Sequence, residues 1–217
     1  MKIHLIICIG LFLFFSCKRE PSANTSVKDA PGSELSQMDS FYIDPTQSII
    51  YWQGSSPSGA HNGSIKIKSG KLYSKDKILK AGIVLADMNS LKNLDLEDSL
   101  DRLDLEKHLK DADFFQTDSF PEARFSLSSI TMIQDTTYNA IVHGYLTVKD
   151  VMKPLQLKCK IDHAEDAILI SVPEFSLDRT QYNIMYQSKK ILASLKNGFI
   201  GDEINLSMKV IARSGNR

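Results

Sequence analysis

Few residues of this chain are placed to do chemistry. His108 lies close to Asp111 and Asp113, and an imidazole beside carboxylates is the beginning of a metal site. Nothing in the spacing completes the ligand set, and a histidine near the end of a helix is served by the helix dipole alone. His143 and His163 stand apart from it, so no metal is expected. A Gly-x-Ser-x-Gly elbow, a glycine-rich phosphate loop and a His-Glu-x-x-His helix are all missing. Asp95, Glu97, Asp98, Asp101 and Asp104 read as a solvated face, because carboxylates without an apolar pocket behave ordinarily. The expectation is a protein that is not an enzyme. Binding chemistry is better represented. Trp52, the one tryptophan, combines a large apolar ring with an N–H, which suits either a cavity wall or a plug in a barrel floor. Arg179 offers a planar fork that would anchor a ligand head group or close one end of the fold in a buried pair with Asp178 or Asp202.

The remaining reactive groups are the thiols Cys8, Cys17 and Cys159. Met1-Lys2-Ile3-His4 precedes an apolar run from Leu5 to Phe15, and Ser16-Cys17 follows it, so residues 1–16 read as a signal peptide. Phe14-Phe15-Ser16-Cys17 looks like a bacterial lipobox, which makes Cys17 the expected lipidation site and mature N-terminus. Acyl chains on Cys17 would hold the protein to a membrane. Lys18 stands where an aspartate would signal inner-membrane retention, so the outer membrane is favoured, with the domain facing the periplasm or the cell surface. Residues 17–40 carry few large apolar side chains and read as a flexible tether. Lys+Arg and Asp+Glu both number 26, and losing Lys2 with the leader tips the balance by a single charge. No field that would hold nucleic acid follows.

From residue 41 to 213 the dominant period is two, the period of half-buried strands. Leu155, Leu157, Cys159 and Ile161 alternate with polar neighbours, as do Ile204, Leu206, Met208 and Val210. Ile65 and Ile67 alternate with lysines before Ser69-Gly70, which reads as a turn. About eight strands separated by short turns predict an all-β fold, a closed antiparallel barrel or a sandwich. Ser99 to Ala112 reads as a helix, with Leu100, Leu103, Leu105, Leu109 and Ala112 near a 3.6-residue period and charges between them, and Ile191–Lys196 as one or two helical turns. Phe125, Leu127, Val142, Leu146, Leu157, Ile170, Leu206 and Met208 fall on inward phases, where they line a tunnel or fill a core. Phe114-Phe115 reads as a clamp between helix and barrel.

Several short segments, in order and over nearly the whole domain, resemble the YceI-like family of periplasmic lipid-binding proteins. They include Tyr42-Ile43-Asp44 with Ser48, His61-Asn62-Gly63, and Phe120-Pro121-Glu122-Ala123-Arg124-Phe125. Gly144-Tyr145-Leu146-Thr147, Asp178-Arg179-Thr180 with Tyr182, and Gly201-Asp202-Glu203-Ile204 continue the series. The resemblance implies a lipocalin-like eight-stranded barrel with an open apolar interior that holds a polyisoprenoid or quinone-type molecule. It also implies that His61 is a polar group near the pocket, and Ile65 and Ile67 join Trp52 on the expected wall. The expected function is an envelope lipoprotein sequestering or transporting a long apolar lipid, with no separate cofactor. The alternatives are a filled barrel that binds a protein partner and an accessory acting on a bound quinone.

Overall fold

The structure, a computed structural model, describes residues 35–190 and 198–215. The leader, Cys17, most of the tether and the Ile191–Lys196 piece lie outside the described residues.

Nine strands run in chain order: β1 (Asp39–Ile43), β2 (Ile49–Ser56), β3 (Gly59–Lys75), β4 (Ile78–Asn93), β5 (Glu122–Met132), β6 (Ala140–Val148), β7 (Val151–His163), β8 (Ala167–Asp178) and β9 (Glu203–Ser214). One helix, α1 (Ser99–Lys110), joins β4 to β5, and a 3-10 turn (Arg179–Tyr182) follows β8. All pairings between the strands are antiparallel. Following the order β3-β2-β9-β8-β7-β6-β5-β4, the β3–β4 pairing closes eight strands into the lipocalin-like barrel. Closure removes the free edges that an open sheet would expose.

The ninth strand extends an existing stave. β1 and β2 both pair with β3 and β9, at successive positions along each. The break between them is stitched by the buried Ser48, whose hydroxyl donates to Ile211 O at 3.3 Å and accepts from Ile211 N at 3.0 Å. Asp44 N donates to the same carbonyl at 2.8 Å. The domain therefore begins its sheet at Asp39, slightly before the expected Phe41.

Ser69-Gly70 is not a turn. β3 continues through it, with a register shift between Ile67 and Ser69. Such a bulge adds one residue to one strand and bends it without ending it. Gly70 fits there because a side chain would meet Ile43 and the Ile83 carbonyl. Further shifts fall between Leu127 and Ser129 and between Val172 and Phe175. Each reverses the parity of inward residues, so Ile168 and Val172 point inward before the last bulge and Phe175 and Leu177 after it.

α1 is held by polar contacts more than by its leucines. Asp98 caps its N-terminus, accepting from Leu100 N at 2.7 Å and Asp101 N at 3.1 Å, and Lys107, His108 and Lys110 occupy the last turn. The expected leucine face is split: Leu109 turns to the barrel, while Leu100 is 70% exposed and Leu103 is 56% exposed. Glu106 is buried in their place, accepting from Asn93 N at 3.0 Å and Lys92 Nζ at 3.1 Å. A buried carboxylate is tolerated when donors satisfy it.

Candidate ligand-binding cavity

The barrel interior divides along its axis. At the end formed by the β3–β4, β5–β6 and β7–β8 hairpins, Ile67, Leu72, Val142, Cys159, Ile168 and Ala212 belong to one solid core. Leu127 and Ile170 pack against it. At the other end a cavity of about 180 Å³ remains.

Its wall is almost entirely carbon. Ile50, Trp52 and Ile65 come from β2 and β3, Val84, Ala86, Met88 and Leu91 from β4, and Ala123 and Phe125 from β5. Leu146 and Val148 of β6, Leu155 and Leu157 of β7, and Phe175 and Leu177 of β8 continue around. Ile204, Leu206 and Met208 of β9 complete the ring, while Leu109, Phe114, Phe115 and Ile200 lie across the end.

Two aromatic walls are seated on glycines. Trp52 pairs across strands with Gly63, where a Cβ would lie 2.5 Å from the indole Cζ2 and 2.6 Å from Cε2. A Cβ on Gly144 would meet the Phe125 ring, with Phe125 Cε2 at 2.8 Å. Both rings therefore pack directly against the backbone of a neighbouring strand, where any side chain would collide with them. The glycines of His61-Asn62-Gly63 and Gly144-Tyr145 are explained by this close approach.

Of the residues expected on the wall, Trp52, Ile65, Phe125, Leu146, Leu157, Arg179, Leu206 and Met208 line the cavity. Ile67, Leu127, Val142 and Ile170 do not. They share the inward face but lie deeper along the axis, Ile67 and Val142 within the solid core and Leu127 and Ile170 packed against it. His61 is also displaced from the expected position: it is exposed on the hairpin rim, with Nδ1 2.8 Å from Asp95 Oδ2. Asp95 also accepts from Asn62 N at 2.8 Å and Asn93 Nδ2 at 2.6 Å, so the histidine helps fasten the exit of β4 to β3. Burial works against the charge of Asp95, but these donors together hold its pKa below the ordinary value.

Arg179 touches the cavity with three of its five N–H donors engaged by backbone carbonyls. It is 2% exposed and donates from Nε to Gly201 O at 2.9 Å, from Nη1 to Ile184 O at 2.8 Å and from Nη2 to Ile200 O at 3.1 Å. Asp202 lies 3.5 Å from Nη2. This is the end-closing role weighed against head-group capture, extended by three backbone carbonyls. Neighbouring Asp178 accepts from Thr180 and from Lys190 at 2.7 Å. Burial raises its pKa, but the Lys190 and Thr180 hydrogen bonds outweigh that and bring it down to about 2.

Phe114 and Phe115 both clamp and line. The Phe114 ring is 5.1 Å from His108 and 5.4 Å from Tyr186, edge-on or tilted, and faces the cavity as well. His108 thus joins an aromatic cluster, with Asp113 3.7 Å from its Nε2. Among the described residues no group of three or more His, Cys, Asp or Glu is gathered as a metal site. None of the described helices is long and apolar enough to cross a membrane.

Other wall residues were not expected there: Leu155 and Ile204, whose inward parity was legible, Ile50, Val84, Ala86 and Val148 on regular stretches of strand, and Met88, Leu91, Phe175, Leu177 and Leu109 on irregular strands or on α1. For the last five the apolar character was visible, but the direction was not.

A family model for the YceI-like domain matches residues 41–212. Among solved structures, BcnA of Burkholderia cenocepacia superposes with a TM-score of 0.61 at 14% identity, covering 78% of this chain and 98% of its own. A polyisoprenoid binding domain from Saccharophagus degradans, implicated in plant cell wall breakdown, gives 0.57 at 12% identity, covering 82% and 100%. No curated protein matches the sequence.

Proposed function

The chain belongs to the YceI-like family, and from that premise we propose that its barrel binds an isoprenoid-type lipid in the cavity at one end, for sequestration or transport in the cell envelope. The observation that carries the reading is the enclosed space itself. A carbon wall broken by scarcely any free polar group favours an apolar chain over any charged or sugar-like ligand. The polyisoprenoid binding attributed to the Saccharophagus degradans domain supports the same ligand class. Family and cavity together favour a binding protein over an enzyme.

The size of the space sharpens the proposal. At about 180 Å³ it slightly exceeds the ~150 Å³ apolar cavities that take up benzene-sized molecules. One segment of a long isoprenoid would sit inside, and the rest would emerge past Phe115 and Ile200. We further propose that Cys17 carries acyl chains that hold the protein to a membrane, with residues 18–40 as its tether. The lipobox-like Phe14-Phe15-Ser16-Cys17 supports this.

Organic extraction of the purified full chain, followed by mass spectrometry, tests the ligand directly; an isoprenoid or prenylquinone in the extract is the expected result. Titration with a long-chain isoprenoid should quench the fluorescence of Trp52 saturably, because that ring is part of the wall. A clean extract with no saturable quenching would favour a partner-binding barrel. For the anchor, Cys17→Ala should release the protein from membranes, and continued full membrane partitioning would refute the acylation.

A further inference from the structure

Where two neighbouring staves both run past the cavity they are hydrogen-bonded there, with one exception among the described residues. β7 pairs with β8 only from Lys160↔Ser171 to His163↔Ile168, at the solid end. On its other side β7 pairs with β6 along the whole of Val151–Cys159, and β8 pairs with β9 as far as Asp178↔Glu203. Val151–Cys159 and Val172–Asp178 therefore face each other without a ladder.

Two prolines account for the gap. Ile161 N and O both bond to the Asn139 side chain beside β6, at 2.8 Å each, so odd-numbered residues of β7 turn their backbone groups to β6 and even-numbered ones to β8. Ala164 N donates to Ala167 O at 2.8 Å across the β7–β8 turn, which sets the odd-numbered residues of β8 opposite them. The rung after Lys160↔Ser171 would put Pro173 against Lys158, and proline has no N–H to give. Pro154, even-numbered on β7, turns to the same gap with the same lack. The bulge between Val172 and Phe175 then bends β8. Prolines and a lysine on these edges also discourage pairing with a strand from another protein.

The gap lies at the level of the cavity. Leu155 and Leu157 on one edge and Phe175 and Leu177 on the other line that space, and Leu155, Phe175 and Leu177 are only half-buried. Tyr182, 2% exposed, closes the gap toward the end of the barrel, in one cluster with Val151 and Leu177. The end itself is fastened by the Arg179 bonds to Ile184, Ile200 and Gly201. Opening it breaks hydrogen bonds, whereas opening the gap only parts side chains.

Resting on the lipid-binding reading above, we propose that the β7–β8 gap is a side port through the barrel wall. The tip of an apolar chain enters between Leu155 and Phe175, and on a long chain it runs on until it emerges past Phe115 and Ile200.

Retinol, an isoprenoid alcohol whose absorption overlaps tryptophan emission, is the probe, and stopped-flow quenching of Trp52 reads its uptake and release. In the full chain carrying Cys8→Ser and Cys17→Ser, the pair Gln156→Cys and Ser176→Cys is bridged across the gap by a short bis-methanethiosulfonate, while Cys159 stays buried and unmodified. Bridging should slow uptake about tenfold or more, and dithiothreitol should restore it. The same bridge between His143→Cys and Gln156→Cys, across the intact β6–β7 ladder, should leave the rate unchanged. Pro173→Val needs no reagent. It offers Lys158 O the missing donor and should slow uptake and release alike, roughly two- to tenfold, the worth of one backbone hydrogen bond, with affinity kept within about twofold. Unchanged rates in either the bridged or the Pro173→Val protein would overturn the port and send the chain through the end. No quenching in the unmodified protein would instead remove the lipid-binding reading on which the proposal rests.

Discussion

The two ends of this barrel are built from the same staves yet do opposite things with their inward side chains. At the solid end Ala140, Cys159 and Ala212 are fully buried, and these small residues leave room for Ile67, Leu72 and Ile168 to pack into one buried cluster. At the cavity end large side chains such as Trp52, Phe125, Leu146 and Met208 share the wall with small ones such as Ala86 and Ala123, and several are only partly buried. Two of the rings, Trp52 and Phe125, occupy the room left by glycines on neighbouring strands. Side-chain volume alone therefore does not tell a filled barrel from a hollow one; where each side chain is seated matters as well. The solid end supplies stability, and the other end is free to remain underpacked.

The contrast breaks most visibly at the solid end. Ile168→Ala removes a fully buried side chain there and should cost about 2–5 kcal/mol in a denaturant melt. Leu206→Ala at the cavity end removes a side chain that already borders open space and should cost markedly less. Equal losses would mean that the cavity is filled in solution.

Val142→Trp should behave as overpacking, losing about 1–3 kcal/mol or failing to fold, because Val142 is in the solid core. Ala123→Leu projects into the cavity and should leave the thermal midpoint unchanged or higher while weakening lipid binding. Selective loss of binding by the stable Val142→Trp protein would place the cavity deeper than the wall described.

Gly63→Ala tests the seat of the indole. The new Cβ meets the Lys92 carbonyl as well as the ring, and backbone cannot step aside cheaply, so a loss of about 1–3 kcal/mol is expected together with a shifted Trp52 emission maximum.

The smallest effect is on acid stability at the cavity end. Folded Asp178 keeps its charge down to about pH 2, whereas in the unfolded chain it protonates near 3.8. Its contribution is complete above that value and lost as the pH falls from 3.8 toward 2. With Lys190 55% exposed, solvent screening limits it to the order of 1 kcal/mol. Asp178→Asn should flatten the stability profile over that window, lowering stability by about that amount near neutrality and leaving it unchanged below about pH 2.

Much of the barrel was legible because alternation is a local signal. Leu155 to Ile161 and Ile204 to Val210 mark inward faces that any regular strand would keep. Where a bulge adds a residue, as at Ile67/Ser69 or Val172/Phe175, parity reverses and the same reading mistakes a bend for a turn or loses the inward face. The helix was legible in position but not in orientation. Its leucines suggested a packing face, whereas Glu106 found donors on β4 and turned Leu100 and Leu103 to the outside. Depth along the axis was not legible at all. Leu127 and Phe125 sit on one strand with one parity and both pack against the core, and only the stagger of closed staves brings Phe125 to the cavity as well.

The thiol of Cys159 is fully buried among the small residues of the solid end, and burial pushes its pKa up to about 11. Such a group reacts only when the staves around it part, since the thiolate is the reactive species. The rate at which a thiol reagent labels Cys159 therefore counts how often this end of the barrel opens. Ligand taken up at the far end would slow that count if the two halves breathe together and leave it unchanged if they open separately.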